Sequence, residues 1–88
     1  MVVTNTTCTN DATEYSVALP NYCEYFLIKC RQEGSELWWT TVSGQSGTKY
    51  MTIPAGSFYW QYAKLTGKTL YFQSPAAGTV VEVIAASS

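Results

Sequence analysis

The chain of 88 residues contains no histidine, few charged residues and no long apolar run. Without histidine, the Ser-His-Asp and Cys-His arrangements of hydrolases cannot be assembled within one chain. Its six acidic residues fall mainly in predicted turns and strand ends, where carboxylates are usually solvated, so they do not indicate a glycosidase pair. The sequence also lacks a phosphate-binding loop, a dinucleotide fingerprint and a calcium loop. We therefore expect a protein that is not an enzyme and that uses no cofactor.

Charge is scarce and nearly balanced. Five Lys/Arg and six Asp/Glu give a net charge of -1, and charged residues make up 12% of the chain, about half the usual share. Such a chain has no field that would collect phosphate backbones or anionic lipids. The longest apolar run, residues 25–28, is far shorter than the roughly 20 residues that span a bilayer, and the first residues show no secretory-signal pattern. We expect no nucleic-acid partner, no membrane partner and no secretion.

The three cysteines, Cys8, Cys23 and Cys30, lack CxxC spacing, so a zinc site would need ligands from outside the chain. Cys23 and Cys30 lie seven residues apart on one predicted strand. This spacing places them on opposite faces and about 23 Å apart, too far for a disulfide. We expect three free thiols, as in a reducing compartment. A bridge from Cys8 to one of the other two, or an intermolecular link, is the alternative.

Short apolar runs separated by turn residues, such as residues 32–35, are typical of a β-sandwich or barrel. Residues 1–13 are rich in Thr and Asn and are predicted to form an extended N-terminal arm or an edge strand ahead of a β domain at 14–88. At 58–65 a helix is the alternative to a strand, which the aromatic residues favour. We predict an all-β fold, a single small antiparallel β-sandwich or barrel of about seven strands. These strands are predicted at 14–19, 22–32, 36–42, 49–53, 58–65, 69–73 and 79–85.

Alternation with a period of two assigns residues of the predicted strands to faces. Phe26, Ile28 and Cys30 share one face, opposite Lys29 and Arg31. We expect this strand to be central in its sheet. In the first strand, one face is formed by Tyr15, Val17 and Leu19.

Glu82 lies inside the last strand, between Val81 and Val83. The interpretation we favour places both valines in the core and Glu82 on the outer face. In the alternative, Glu82 is buried and must pair, for example with Lys64 or Lys68, or lose its charge.

Aromatic residues make up 15% of the chain. We expect Phe58, Trp60 and Tyr62, which alternate along one strand, to lie in the core. Tyr59 has the opposite parity and is predicted to be exposed and to meet a partner. Partial burial in a small core, a protein interface and a sugar-stacking platform are the three explanations for this surplus of aromatic side chains.

Trp38 and Trp39 are adjacent. In a strand they must therefore face opposite ways, so only one of them can lie in the core. The sequence does not say which of the two is exposed.

The segment YMTIPAGSFYWQYAKLTGKTLYFQSPAAGTVVEVIAAS, residues 50–87, resembles small all-β structural proteins of tailed-bacteriophage virions. In these proteins a Pro-Ala-Gly turn precedes an aromatic strand, a Gly-Lys-Thr-Leu-Tyr-Phe strand follows, and a Gly-Thr-Val-Val-Glu-Val strand comes near the end. The resemblance implies a virion component such as a capsid decoration or cement protein, a head-fibre base or a minor tail protein.

The resemblance implies that the chain is made in the host cytoplasm and then resides in the virion. Its expected partners are the major capsid protein or other virion proteins, and homo-oligomerisation, for example as a trimer, is a further expectation. The alternative function is that of a carbohydrate-binding module with exposed Trp and Tyr. The residues predicted to form the partner interface are Val2, Val3, Tyr25, Trp38 and Tyr59.

Overall fold

The computed structural model describes residues 2–20, 23–31, 36–65 and 68–87. The predicted turn at residues 32–35 lies outside them. The described residues contain no helix of the length and apolarity needed to cross a membrane. They form eight strands: β1 (Val2–Cys8), β2 (Tyr15–Ala18), β3 (Cys23–Cys30), β4 (Leu37–Thr40), β5 (Met51–Ile53), β6 (Phe58–Leu65), β7 (Thr69–Gln73) and β8 (Thr79–Ser87).

The eight strands form two four-stranded antiparallel sheets that pack face to face. Sheet A has the strand order β1-β8-β3-β6, and sheet B has the order β2-β7-β4-β5. The predicted all-β fold is confirmed, and of its two forms the structure is the sandwich. Residues 58–65 form a strand and not the alternative helix.

The first strand belongs to the sandwich. β1 pairs with β8 in continuous register from Val2 opposite Ala85 to Cys8 opposite Thr79, and it forms one edge of sheet A. Cys8 is fully buried in the core between the sheets. Residues 2–8 are therefore an edge strand that contributes to the β domain, and β1 brings the number of strands from the predicted seven to eight.

The core consists of the side chains that the two sheets turn toward each other. From sheet A, Phe26 and Ile28 of β3 and Val81 and Val83 of β8 are almost completely buried, as their alternation predicts. Burial of these large side chains is the main source of stability, at roughly 1.5–3 kcal/mol for each one. Sheet B and its flanking residues supply Val17, Leu19, Leu37, Trp39, Ile53, Leu70 and Phe72.

The prediction for the two cysteines of β3 is wrong in one respect. The register of β3 shifts between Cys23 and Tyr25 against both of its neighbours. An extra residue of this kind reverses the side-chain parity beyond it, so Cys23 and Cys30 both face the core instead of opposite sides. They lie at the two ends of one strand, and all three cysteines are free thiols.

A carboxylate holds the loop between β4 and β5. Glu14 accepts hydrogen bonds from the backbone N–H of Gly44 at 2.9 Å and of Ser46 at 3.1 Å. Burial tends to raise the pKa of Glu14, but its hydrogen bonds with Ser46 and Gly44 lower it below the usual value. Gly44 has φ of +79°, a conformation that favours glycine. The Ser46 hydroxyl donates to Gln73 of β7 at 3.0 Å, so the loop is attached to sheet B.

Buried hydroxyl groups close the turn between β7 and β8. The Ser74 hydroxyl lies 3.1 Å from that of Thr79 and donates to the carbonyl of Glu36 at 3.2 Å. Thr79 donates in turn to the carbonyl of Ala76 at 2.9 Å. Because buried polar groups are costly unless they are hydrogen-bonded, this network allows two polar residues to lie inside the sandwich.

The buried Cys8 thiol makes stability dependent on alkaline pH. Burial, and to a smaller extent the charge of Cys30, raises the pKa of Cys8 from 9.0 to about 11. Between these values the unfolded thiol ionises while the folded one keeps its proton. We predict that the Cys8 contribution to the free energy of unfolding is intact below pH 9 and falls by about 3 kcal/mol as the pH rises through 11.

The matched comparison is Cys8→Ala, which removes this titration but keeps every lysine and tyrosine. Denaturant unfolding from pH 8 to pH 11 should give a steeper loss of stability for the wild type than for Cys8→Ala. Parallel losses in the two proteins would contradict the assignment.

Candidate protein-binding surface

The outer face of sheet A carries an apolar row across all four strands. Val3 of β1 lies opposite Ile84 of β8, Ile84 lies opposite Leu27 of β3, and Leu27 lies opposite Trp60 of β6. Val3 and Trp60, at the two edges, are 61% and 44% exposed, and the two middle residues are partly buried. The row is therefore apolar surface that neither sheet covers.

Aromatic side chains extend this row along β6. Tyr25 lies opposite Tyr62, with ring centroids 5.8 Å apart in an edge-to-face arrangement. Trp60 lies 4.4 Å from the Tyr62 ring and 6.1 Å from the Tyr25 ring. Tyr62 and Phe58 are 69% and 63% exposed. We call the surface formed by these residues and the row the aromatic face: Val3, Tyr25, Leu27, Phe58, Trp60, Tyr62 and Ile84.

The area of the aromatic face is large for an uncovered surface. With about 200 Å² for each aromatic side chain, the exposed fractions of Phe58, Trp60 and Tyr62 leave about 350 Å² of aromatic surface in water. Apolar patches of roughly 300–600 Å² are the largest that monomeric proteins usually show, and they often mark binding sites. The face is suited to contact with another apolar surface.

One end of the aromatic face carries a small charge network. Glu82 of β8 lies 3.8 Å from the Lys29 ammonium group and 3.2 Å from the Arg31 guanidinium group. The outward orientation predicted for Glu82 is confirmed, and Val81 and Val83 fill the core on either side of it. These side chains are 29% to 51% exposed, so solvent screens the ion pairs and they add at most about 1 kcal/mol. They leave the neighbouring aromatic surface uncharged.

The alternation predicted for the side chains of β6 is correct, but the prediction of which face lies in the core is wrong. Phe58, Trp60 and Tyr62 were expected in the core, yet all three are exposed. Tyr59, expected to be exposed, is packed against the core, 4.9 Å from the Trp39 ring. The pairing with β3 fixes this outcome, because each residue of β6 shares the face of its partner.

The cross-strand pairs show this directly. Tyr59 lies opposite the buried Ile28, whereas Trp60 lies opposite Leu27 on the outer face. The Tyr59 hydroxyl remains satisfied inside the sandwich because it donates to the Gln61 side chain at 3.0 Å.

The residues predicted for the interface are dispersed over the molecule. Val3 and Tyr25 belong to the aromatic face, and Val2 is exposed at the start of β1. Trp38 lies on sheet B, where its ring stacks on Tyr50 at 4.8 Å. Tyr59 is turned inward. Sequence reasoning missed Leu27 and Ile84, although the charged neighbours Lys29 and Glu82 on the same faces were a signal that could have placed them outside.

The question left open by the two adjacent tryptophans has a clear answer. Trp39 is 6% exposed and lies 5.8 Å from the Phe26 ring in the core, while Trp38 is partly exposed. The prediction that the two side chains face opposite ways is confirmed. The indole N–H of Trp39 is buried and has no hydrogen-bond acceptor among the described residues.

A cleft opens between the edge strands of the two sheets, β5 and β6. Its volume is about 560 Å³, within the range of small-molecule sites. Phe26 and Trp39 form the apolar floor, and Tyr50 and Met51 stand on the β5 side. The polar residues of its wall are Thr40, Thr41, Lys49 and Gln61. This is a second concave surface, distinct from the aromatic face.

Among the residues that the structure describes, no three His, Cys, Asp or Glu side chains are close enough to hold a metal ion. No family model matches the chain, and no curated protein or solved structure is significantly similar to it. The function is therefore inferred from the surfaces of the molecule.

The opposite orientations of Tyr59 and Tyr62 can be tested by stability. We predict that Tyr59→Ser lowers the free energy of unfolding by about 2–3 kcal/mol, because it removes a ring from the packed cluster with Trp39. Tyr62→Ser, on the aromatic face, should cost no more than about 1 kcal/mol. Urea unfolding of the two variants gives both values, and a larger loss for Tyr62→Ser would contradict the assigned faces.

Proposed function

We propose that this protein is a structural component of a bacteriophage particle, which binds the capsid surface as a decoration protein through the aromatic face. The observation that carries the proposal is the exposure of Phe58, Trp60 and Tyr62 on one side of sheet A. Aromatic residues are enriched, and charged residues depleted, at the centres of protein interfaces. The resemblance of residues 50–87 to small β proteins of phage virions supplies the kind of partner.

The size of the face supports attachment in many copies. Its roughly 350 Å² of exposed aromatic surface is below the roughly 800 Å² that one partner contributes to a standard stable interface. A single contact of this size is expected to be weak. A particle that presents the same binding site many times to an oligomeric ligand gains strength through multivalency. A decoration protein operates under these conditions.

Low charge is consistent with this mode of binding. The net charge of -1 provides little electrostatic steering toward a partner. Affinity would then depend on burial of apolar surface, and salt should weaken it little. Of the five residues predicted for the interface, Val3 and Tyr25 retain this role within the aromatic face. The core position of Tyr59 removes it from the contact.

The test uses particles purified from the source of the chain and depleted of this protein. We predict that the wild type rebinds at hundreds of copies per particle, counted by quantitative mass spectrometry against the major capsid protein. Trp60→Ser should reduce the bound copies at least tenfold at subsaturating concentration, because truncating an aromatic residue at the centre of an interface costs about 2 kcal/mol or more.

Trp38→Ser is the matched control, since it removes the same side chain from sheet B. It should bind like the wild type. Equal binding by Trp60→Ser and the wild type would refute the role of the aromatic face. Absence of the protein from native particles would refute the virion assignment itself.

The cleft between β5 and β6 favours one other function, that of a carbohydrate-binding module. Tyr50 lines this cleft and stacks on Trp38 with an interplanar angle of 18°, and Gln61 and Lys49 supply polar groups beside it. Sugar rings bind to aromatic faces flanked by such groups. A soluble oligosaccharide should then quench tryptophan fluorescence in the wild type and not in Tyr50→Ala. If neutral, acidic and amino sugars all leave the tryptophan fluorescence of the wild type unchanged, the carbohydrate-binding alternative is refuted.

A further inference from the structure

The free edge of sheet A lies on β6, and its backbone orientation can be deduced from the hydrogen bonds. Arg31 donates its backbone N–H to the carbonyl of Val80 at 2.8 Å, directly past the last β3–β8 pair. In an antiparallel ladder, bonding alternates from residue to residue. Leu27 and Lys29 therefore bond toward β8, whereas Phe26 and Ile28 bond toward β6.

The same alternation fixes which residues of β6 are satisfied. Tyr59 and Gln61, opposite Ile28 and Phe26, direct their N–H and C=O groups toward β3. Phe58, Trp60 and Tyr62 direct theirs away from the sheet, where no described strand is paired with β6. The residues with unpaired backbone groups are thus the same ones whose side chains form the exposed part of the aromatic face.

From Phe58 to Tyr62, this edge lacks the features that protect most edge strands from pairing. Natural edges are kept short, or carry charges, proline or bulges. β2 and β5 have only four and three residues. β1 has seven residues and carries neither charge nor proline, but its exposed face is polar beyond Val3, where it carries Asn5 and Thr7. β6 has eight residues and contains neither proline nor a charge from Phe58 to Tyr62. It is therefore the edge best suited to accept another strand.

We propose that two copies of this chain associate through β6 in antiparallel register, which joins their A sheets into one eight-stranded sheet. The twofold axis of this dimer passes between the two Trp60 residues, which lie opposite each other. Phe58 of each copy then lies opposite Tyr62 of the other copy. Every unpaired backbone group of these residues then meets an unpaired group, giving about six new hydrogen bonds. All the paired side chains are aromatic, as favourable cross-strand pairs often are.

The charge and the area both fit a second copy. Each chain carries a net charge of -1, and no charged side chain lies between Phe58 and Tyr62, so the approach of two copies meets little repulsion. Pairing at the edge covers only the sides of the neighbouring aromatic rings, whose exposed surfaces amount to about 700 Å² in the two copies together. The area that these rings bury is therefore well below the roughly 1,200 Å² of standard complexes, so the dimer dissociates on dilution. The pairing is twofold and differs from the trimer expected from the phage resemblance.

The dimer goes beyond the proposed function and does not depend on it. It would place two copies of the aromatic face side by side on one surface, which doubles the number of contacts that a single unit makes with a repeating lattice. Its test uses the purified chain alone, so its outcome is separate from that of the particle-binding experiment.

The experiment is sedimentation equilibrium of the wild type, Trp60→Thr and Trp60→Pro. Protein concentrations from about 1 µM to about 1 mM cover the dissociation constants expected for a weak dimer. Proline at an outward N–H leaves the bonds to β3 intact and removes two bonds across the twofold axis. Both variants lose the same indole ring, so their difference reports backbone pairing. We expect a wild-type dimer, a weaker dimer for Trp60→Thr, and a dissociation constant for Trp60→Pro at least about tenfold higher than that of Trp60→Thr.

Circular dichroism at low concentration should show that Trp60→Thr and Trp60→Pro are folded. If proline unfolds the domain, backbone N-methylation of Trp60 by chemical synthesis replaces it as the test, since it removes the same N–H group. A wild type that stays monomeric at 1 mM would overturn the proposal. Equal dissociation constants for the N–H-blocked protein and its N–H-bearing control would overturn pairing through β6.

Discussion

Two sheets can bury only the faces that they turn toward each other, and this constraint decides the surface chemistry of the molecule. With no third layer among the described elements, the outer face of sheet A stays in water whatever residues it carries. Strand alternation then couples the two faces, because each buried residue of β3 or β8 has an outward neighbour. Because Phe26 and Ile28 of β3 face the core, Leu27 between them must face outward. In the same way, the buried Val81 and Val83 of β8 require Glu82 to face outward. The residues of the aromatic face are thus those that alternate with core residues along the strands of sheet A.

The orientation of a strand could be predicted from the sequence where a charged residue indicates its solvent-exposed face. Alternation placed Phe26 and Ile28 of β3 on the face opposite Lys29 and Arg31. Glu82 indicated the outer side of β8. Strand boundaries at 69–73 and the all-β architecture followed from turn residues and aromatic or β-branched runs. These signals are local, because solvation of a charge and the geometry of a turn do not depend on distant residues.

The unpredictable part depended on pairing with other strands. Between Phe58 and Tyr62 the most polar residue, Gln61, points inward, where it accepts a hydrogen bond from Tyr59, and the large rings of Phe58, Trp60 and Tyr62 point outward. Hydrophobicity therefore favoured the wrong side, and only the register with β3 corrects it. The shift between Cys23 and Tyr25 had the same effect on the cysteines, since a single extra residue reversed the face of Cys23. No feature of the sequence marks that position as a bulge.

The β6 strand combines two roles that are usually separated in small sandwiches. Its inward residue Tyr59 joins Phe26 and Trp39 in the aromatic cluster of the core. Its outward residues Phe58, Trp60 and Tyr62 supply both exposed rings and unpaired backbone groups at the open edge of sheet A. A partner that binds here gains apolar burial and strand pairing together, which is the basis of both the contact proposed with capsid proteins and the contact proposed between copies.

The central claim is that Trp60 and Tyr62 are on the surface while Trp39 and Tyr59 are inside. Hydroxyl-radical footprinting of the free protein at low concentration, read by mass spectrometry at single residues, tests it most directly. Each exposed ring is compared with an inward-facing ring of the same type. We predict that Trp60 is oxidised much faster than Trp39, and Tyr62 much faster than Tyr59. Faster oxidation of Trp39 and Tyr59 would contradict the account and would return the aromatic residues of β6 to the core.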